Sequence, residues 1–231
     1  MKLSPPILCL VTDRRRLGAR LGSPPDSSAT IDALLTQVAA ASEAGVTLIQ
    51  VREPDLPARV LVELICAMRA RAAAHTRIVV NDRLDIALAS HADGVHLKST
   101  SVPVADARRL ALPGWLVGRS VHSLTEMGDL AGAAADYLVF GSVFPTRSKP
   151  AGWETRGLAG LEAAVAAASP IPVLGIGGIG PDQAAGVART GAAGLAAIDA
   201  FLPSDATRIA DTVHEGVRRV RMAFDSTLPL S

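Results

Sequence analysis

The sequence predicts a closed (β/α)8 TIM barrel in a single chain, and three observations carry that prediction. Eight short runs rich in apolar and β-branched residues recur along the 231 residues, about 29 residues apart. Several are nearly continuous in apolar residues, as strands buried on both faces are. Ala- and Leu-rich stretches with helical spacing separate them. An open doubly wound sheet fits less well, because the first run ends in Val11-Thr12-Asp13-Arg14 and not in a glycine-rich turn.

Taken in order, the strand candidates are Ile7–Thr12, Leu48–Arg52, Arg77–Asn81, Gly94–Leu97, Leu116–Val121, Tyr137–Val143, Val173–Ile176 and Gly194–Ile198. The first helix, Ile31 to Ala44, can be capped by Ser28 or Thr30 and ended by Gly45. Further helices are expected over Arg59 to Ala74, Leu158 to Ala168 and Thr207 to Phe224, and Pro181 marks the first turn of another. Long irregular stretches occur only at Gly22–Thr30 and Pro145–Gly157. No linker or shift in composition divides the chain, so residues 1–231 read as one barrel domain.

Composition narrows the function. With 23 basic and 22 acidic side chains the net charge is +1, which argues against a nucleic-acid-binding surface. Four Phe, two Trp and one Tyr leave little for stacking bases, and they put the core on Ala, Val, Leu and Ile. The two cysteines, Cys9 and Cys66, sit in apolar runs and read as reduced core thiols. No apolar run reaches the length of about 18 residues that a membrane helix needs. The first apolar run is followed by Arg14-Arg15-Arg16 and not by a signal cleavage site, so a cytoplasmic location is expected. That cluster and Arg218-Arg219-Val220-Arg221 read as solvated faces, and a homo-oligomer is compatible with all of this.

A barrel presents its chemistry at the C-terminal strand ends and the loops after them. Those ends hold Arg52 and Glu53, Asn81-Asp82-Arg83, His96 and Lys98, Ser120 to Ser123, Gly177-Gly178 and Asp199. Glycines at Gly177 and Gly178 let amides approach an anion, at the strand where barrels often bind phosphate; a tight turn would also account for them. The amide of Ile198 and the position of Asp199 would complete such a site, although a carboxylate there repels phosphate unless it points away. His122 stands just past the fifth strand, where an imidazole can take and return a proton at neutral pH. The alternative is a loop histidine without chemistry. His96 lies inside its own strand and is expected to pack or hydrogen-bond within the barrel. Asp82 could ligate Mg²⁺ or cap the next helix.

Together these stretches resemble the family of thiamine phosphate synthase and its relative, the thiazole tautomerase. The matches are Leu10 to Asp13, Ile49 to Glu53, Val80 to Ala87, Ala92 to Leu97, Gly118 to Ser123, Asp136 to Thr146 and Ile176 to Ile179. The resemblance runs from about residue 7 to residue 201 in barrel order. It implies a barrel acting on thiazole phosphate, a small-molecule substrate, with no nucleic-acid or membrane partner. It implies substrate contacts from Gln50, Arg52, Asn81, Ser120, Thr146, Lys149 and Arg156. It also implies phosphate contacts at Gly177, Gly178, Ile198 and Asp199.

Two departures favour the tautomerase branch. The synthase pattern has a Lys where Pro54 stands, and a second Mg²⁺ carboxylate where Ser101 stands. Losing both should weaken diphosphate binding. The expected activity is therefore aromatisation of a thiazole carboxylate phosphate, with His122 as the proton carrier and no cofactor. The alternatives are a thiamine phosphate synthase, joining hydroxymethylpyrimidine diphosphate to thiazole phosphate with Mg²⁺ on Asp82, and a non-catalytic thiazole phosphate binder.

Overall fold

Strands form where the apolar runs lie: β1 (Ile7–Val11), β2 (Leu48–Val51), β3 (Arg77–Asn81), β4 (Gly94–Leu97), β5 (Leu116–Val121), β6 (Tyr137–Gly141), β7 (Val173–Ile176) and β8 (Gly194–Ala197). In the computed structural model, which describes residues 3–128, 134–150, 152–203 and 205–227, they pair in parallel and in chain order. β8 returns to β1 with Ile7 opposite Gly194, so the sheet closes into a barrel as expected.

Alternation along each strand divides the core into two layers. Ile7, Cys9, Leu48, Val79, Leu116, Val139 and Leu174 fill the barrel interior. Leu8, Leu10, Ile49, Ile78, Val80, Leu138 and Phe140 face outward into the helices. Those helices are α1 (Arg14–Leu21), α2 (Ser28–Glu43), α3 (Ala58–Arg71), α4 (Leu84–Ala89), α5 (Val104–Leu110), α6 (Leu124–Gly128), α7 (Gly157–Ala168), α8 (Ala184–Arg189) and α9 (Ile209–Asp225). The last is the most regular amphipath: Ile209, Val213, Gly216, Val217, Val220 and Phe224 are buried at helical spacing.

Several local expectations are corrected. A helix, α1, follows the first strand directly, its N-terminus capped by the Asp13 side chain accepting from the Arg16 amide. The next helix starts at Ser28, three residues early, because Ser27 caps it by accepting from the Thr30 amide. Its C-terminal cap is Ala44, one residue before Gly45. Arg14 is not on a solvated face: its side chain is 1% exposed and pairs with Glu53, Asp55 and Asp26 at 3.2, 2.6 and 2.8 Å. Cys9 is buried, but Cys66 is exposed and is no core thiol. Ala151, within the expected irregular stretch Pro145–Gly157, lies outside the described residues. Among the described residues, no helix is long and apolar enough to cross a membrane.

Candidate active site

The same alternation that builds the interior also builds a floor at its C-terminal end. Val11, Gln50, Asn81, Ser120, Gly141 and Ile176 occupy inward positions near the strand tops, and all line one cavity of about 370 Å³. The loops above them supply the walls: Arg52, Lys98, His122, Thr146 and Lys149, together with Gly177, Gly178, Ile198 and Asp199. Of the residues expected at the site, Arg156 is the one substrate-binding candidate absent from this lining. It is exposed and pairs with Glu154 at 3.2 Å.

Each wall has a local reason for its shape. Gly178 has φ +62°, and a Cβ on it would stand 2.3 Å from the Pro145 carbonyl oxygen. The β6 loop therefore packs against this turn, so glycine is required for packing as well as for the approach of an anion. Asp199 does not confront the cavity as a bare charge, because its Oδ1 lies 2.5 Å from Nη2 of Arg16, another lining residue. The Lys149 ammonium sits 4.1 Å above the Trp153 ring, a cation–π contact.

His122 is fixed by its surroundings. Its Nδ1 lies 2.6 Å from the Gly141 carbonyl, which can only accept, so Nδ1 carries a hydrogen and the ring is held in place. The His122 amide donates to the Glu126 carboxylate at 2.9 Å, tying the loop to α6.

The Asp82 region departs most from expectation. One carboxylate oxygen lies 2.5 Å from Lys98 Nζ, and the other accepts from the Ser101 hydroxyl. Burial pulls the Asp82 pKa up, but the hydrogen bonds from Lys98 and Ser101 outweigh it and hold the group below the usual carboxylate range. Arg119 pins the loop above by donating to the carbonyls of Ser99 and Val102, each at 2.8 Å. Lys98, Ser99 and Thr100 line the cavity, whereas Asp82 and Ser101 do not. A Mg²⁺ on Asp82 would have to share that carboxylate with the Lys98 ammonium and take its other ligands from diphosphate oxygens and water. Among the described residues, no group of three or more His, Cys, Asp or Glu could hold a metal. Asp82 thus offers a single carboxylate, which would hold a Mg²⁺ only together with the diphosphate itself.

Two basic lining residues, Arg16 and Lys98, had no role from the sequence. Arg16 lies in a run that resembles an exposed charge cluster, and its contact with Asp199 spans 183 residues. Lys98 stands at a strand end, a usable positional signal, but no motif pointed to it.

Comparison with known proteins follows the same lines. A family model described as thiamine monophosphate synthase matches residues 25–201. The thiamine-phosphate synthase of Moorella thermoacetica is 45% identical over 190 residues, 81% of this chain and 90% of that protein. The one from Anaeromyxobacter dehalogenans is also 45% identical, over 168 residues, 73% of this chain and 75% of its own. The solved thiamine phosphate pyrophosphorylase of Pyrococcus furiosus superposes with a TM-score of 0.76 at 34% identity, covering 96% of each chain. A 3-hexulose-6-phosphate synthase, at TM-score 0.65 and 19% identity, shares the fold alone.

These relatives overturn the expectation of a thiazole tautomerase. The argument behind it was the loss of a Lys at Pro54 and of a carboxylate at Ser101, two departures that these relatives outweigh. Arg52, Lys98 and Lys149 all line the cavity, and Lys98 is ion-paired with Asp82. By the match over residues 25–201 and the identity to these relatives, the chain belongs to the thiamine monophosphate synthase family.

Proposed function

We propose that this protein is a thiamine-phosphate synthase, a transferase that joins hydroxymethylpyrimidine diphosphate to thiazole phosphate and releases pyrophosphate. The observation that carries the reading is that the cations Arg52, Lys98 and Lys149 and the Gly177-Gly178 turn line one cavity. Two anionic groups need two such regions, one for each substrate.

In the reaction the thiazole nitrogen forms a bond to the pyrimidine methylene carbon. The bond from that carbon to the diphosphate oxygen breaks, and its electron pair leaves with pyrophosphate. Charge builds on the leaving oxygen, and preorganised cations stabilise it most in a site that excludes water. Arg52, Lys98 and Lys149 take that role. Gly177, Gly178 and the amides at Ile198 and Asp199 hold the thiazole phosphate through backbone N–H groups. The Arg16 guanidinium neutralises Asp199 so that the phosphate can approach. Gln50 and Asn81 present side-chain amides from the floor, suited to the edge of a nitrogen heterocycle. Thr146 adds a hydroxyl from the β6 loop. No proton moves between carbons in this step, so His122 is no proton carrier here; it lines the cavity as a hydrogen-bonding group for substrate.

The test is to incubate the purified protein with both substrates and follow pyrophosphate. Release that requires both substrates together is expected. Release without thiazole phosphate, or none with both present, would contradict the proposal.

A further inference from the structure

Beneath the cavity floor lies a chain of polar side chains for which the coupling step has no use. Tyr137, the first residue of β6, is fully buried, and its hydroxyl lies 3.1 Å from Nδ1 of His96. His96 on β4 is 1% exposed, and its Nε2 lies 2.8 Å from Oγ of Ser120 on β5. The two rings stack with centroids 5.5 Å apart and an interplanar angle of 29°. Ser120 is half-buried and lines the cavity.

The sheet is shaped around this chain. Gly118 pairs in register with His96 on one side and Tyr137 on the other. A Cβ on Gly118 would stand 2.1 Å from Cζ of Tyr137, so only glycine lets the phenol lie across the strand. Three neighbouring strands thus deliver the three groups to one line that ends at the cavity.

The positions of the hydrogens follow from counting donors and acceptors. Burial raises the phenol pKa well above its ordinary value, so the hydroxyl keeps its proton and has to donate it. Among the described residues, the partner of that hydroxyl is Nδ1 of His96. Nδ1 therefore carries no hydrogen. Burial also lowers the imidazole pKa to about 3, so the ring is neutral and its one hydrogen sits on Nε2. Nε2–H donates to Ser120 Oγ, and the hydrogen of the serine hydroxyl is left for the cavity. The opposite tautomer would leave the phenol proton buried without an acceptor, the costly arrangement.

We propose that Tyr137 and His96 are positioning residues that hold Ser120 as a hydrogen-bond donor toward an acceptor atom of the bound substrate. The identity of that substrate rests on the synthase reading; the tautomer does not. Tyr137 fixes the histidine tautomer, the histidine occupies a lone pair of the serine, and the serine hydrogen points one way. This relay removes the freedom of a hydroxyl rotor before substrate arrives, which is the form of preorganisation that charge-stabilising sites use.

The experiment has two arms. Protein with ¹⁵N-labelled histidine is examined by long-range ¹H–¹⁵N correlation at pH 7, with the His96 signals assigned by their loss in His96→Gln. The expected pattern is the tautomer with hydrogen on Nε2; the Nδ1–H tautomer or an imidazolium would overturn the proposal. In the second arm Tyr137→Phe, which removes a single oxygen, should lower kcat/KM by about three- to tenfold, the range of one ordinary hydrogen bond. In a Ser120→Ala background the same substitution should cost nothing further. Equal losses in both backgrounds would make Tyr137 merely structural and overturn the relay. If no thiamine phosphate forms in any variant, the synthase reading fails, while the tautomer still decides the relay.

Discussion

His96 sits 1% exposed among barrel strands, and that burial takes its imidazole pKa from 6.5 down to about 3. The sign of the consequence is fixed. A folded chain that refuses a proton which the unfolded chain accepts is fully stabilised above pH 6.5 and loses that stability as pH falls toward 3. Between pH 6.5 and pH 5 the loss should reach about 2 kcal/mol. Urea denaturation at the two pH values measures it, with His96→Gln as the comparison that lacks the slope. Equal pH dependence in the two proteins would mean that the buried imidazole accepts its proton freely. The Asp82–Lys98 pair gives a second expectation. Lys98→Met should weaken pyrophosphate binding about tenfold, the lower end for a charge-assisted hydrogen bond at a half-exposed site. Asp82→Asn should weaken it less, because Lys98 and not Asp82 lines the cavity. Titration calorimetry distinguishes them; the reverse order would point to a metal-ligand role for Asp82.

The elements show what periodicity reveals and what it hides. The eight strands were legible because strands buried on both faces read as apolar runs, and their ends fall within two residues of expectation. The short helix α1 was not, because Arg14, Arg15 and Arg16 look like a solvated run. Burial of Arg14 depends on Glu53 and Asp55 from the β2 loop and Asp26 from the loop before α2, contacts 12 to 41 residues apart that no local pattern encodes. Hydrogen bonding to Asp55, set against the cost of burial, raises the Arg14 pKa, so the guanidinium stays charged. This cluster clamps the β1, β2 and α2 entry segments together. Removing the cation strands a Glu53 carboxylate that is 2% exposed. Arg14→Met should therefore cost about 3–5 kcal/mol of stability, whereas Asp26→Asn, at a 73% exposed partner, should cost less than about 1 kcal/mol. Denaturant midpoints for the two variants check this, and comparable small shifts would show that the buried pair is not a clamp.

Across the whole molecule, barrel closure turns scattered strand ends into one site. Gln50, Asn81, Ser120, His122, Thr146, Lys149 and the Gly177-Gly178 turn were legible as candidates, because a barrel gathers the residues after its strands. Arg16 and Lys98 were not assigned a role, and the expected chemistry was tipped toward a reaction without a diphosphate by Pro54 and Ser101, which stand where the synthase pattern has a Lys and a carboxylate. Charge at a barrel mouth is a sum over eight loops. The central claim is that this mouth couples two phosphorylated heterocycles. The most direct measurement is ³¹P NMR of the protein with hydroxymethylpyrimidine diphosphate and thiazole phosphate. Thiamine phosphate and pyrophosphate should appear together in a 1:1 ratio as the diphosphate signal falls. An unchanged spectrum, or diphosphate loss without thiamine phosphate, would contradict it.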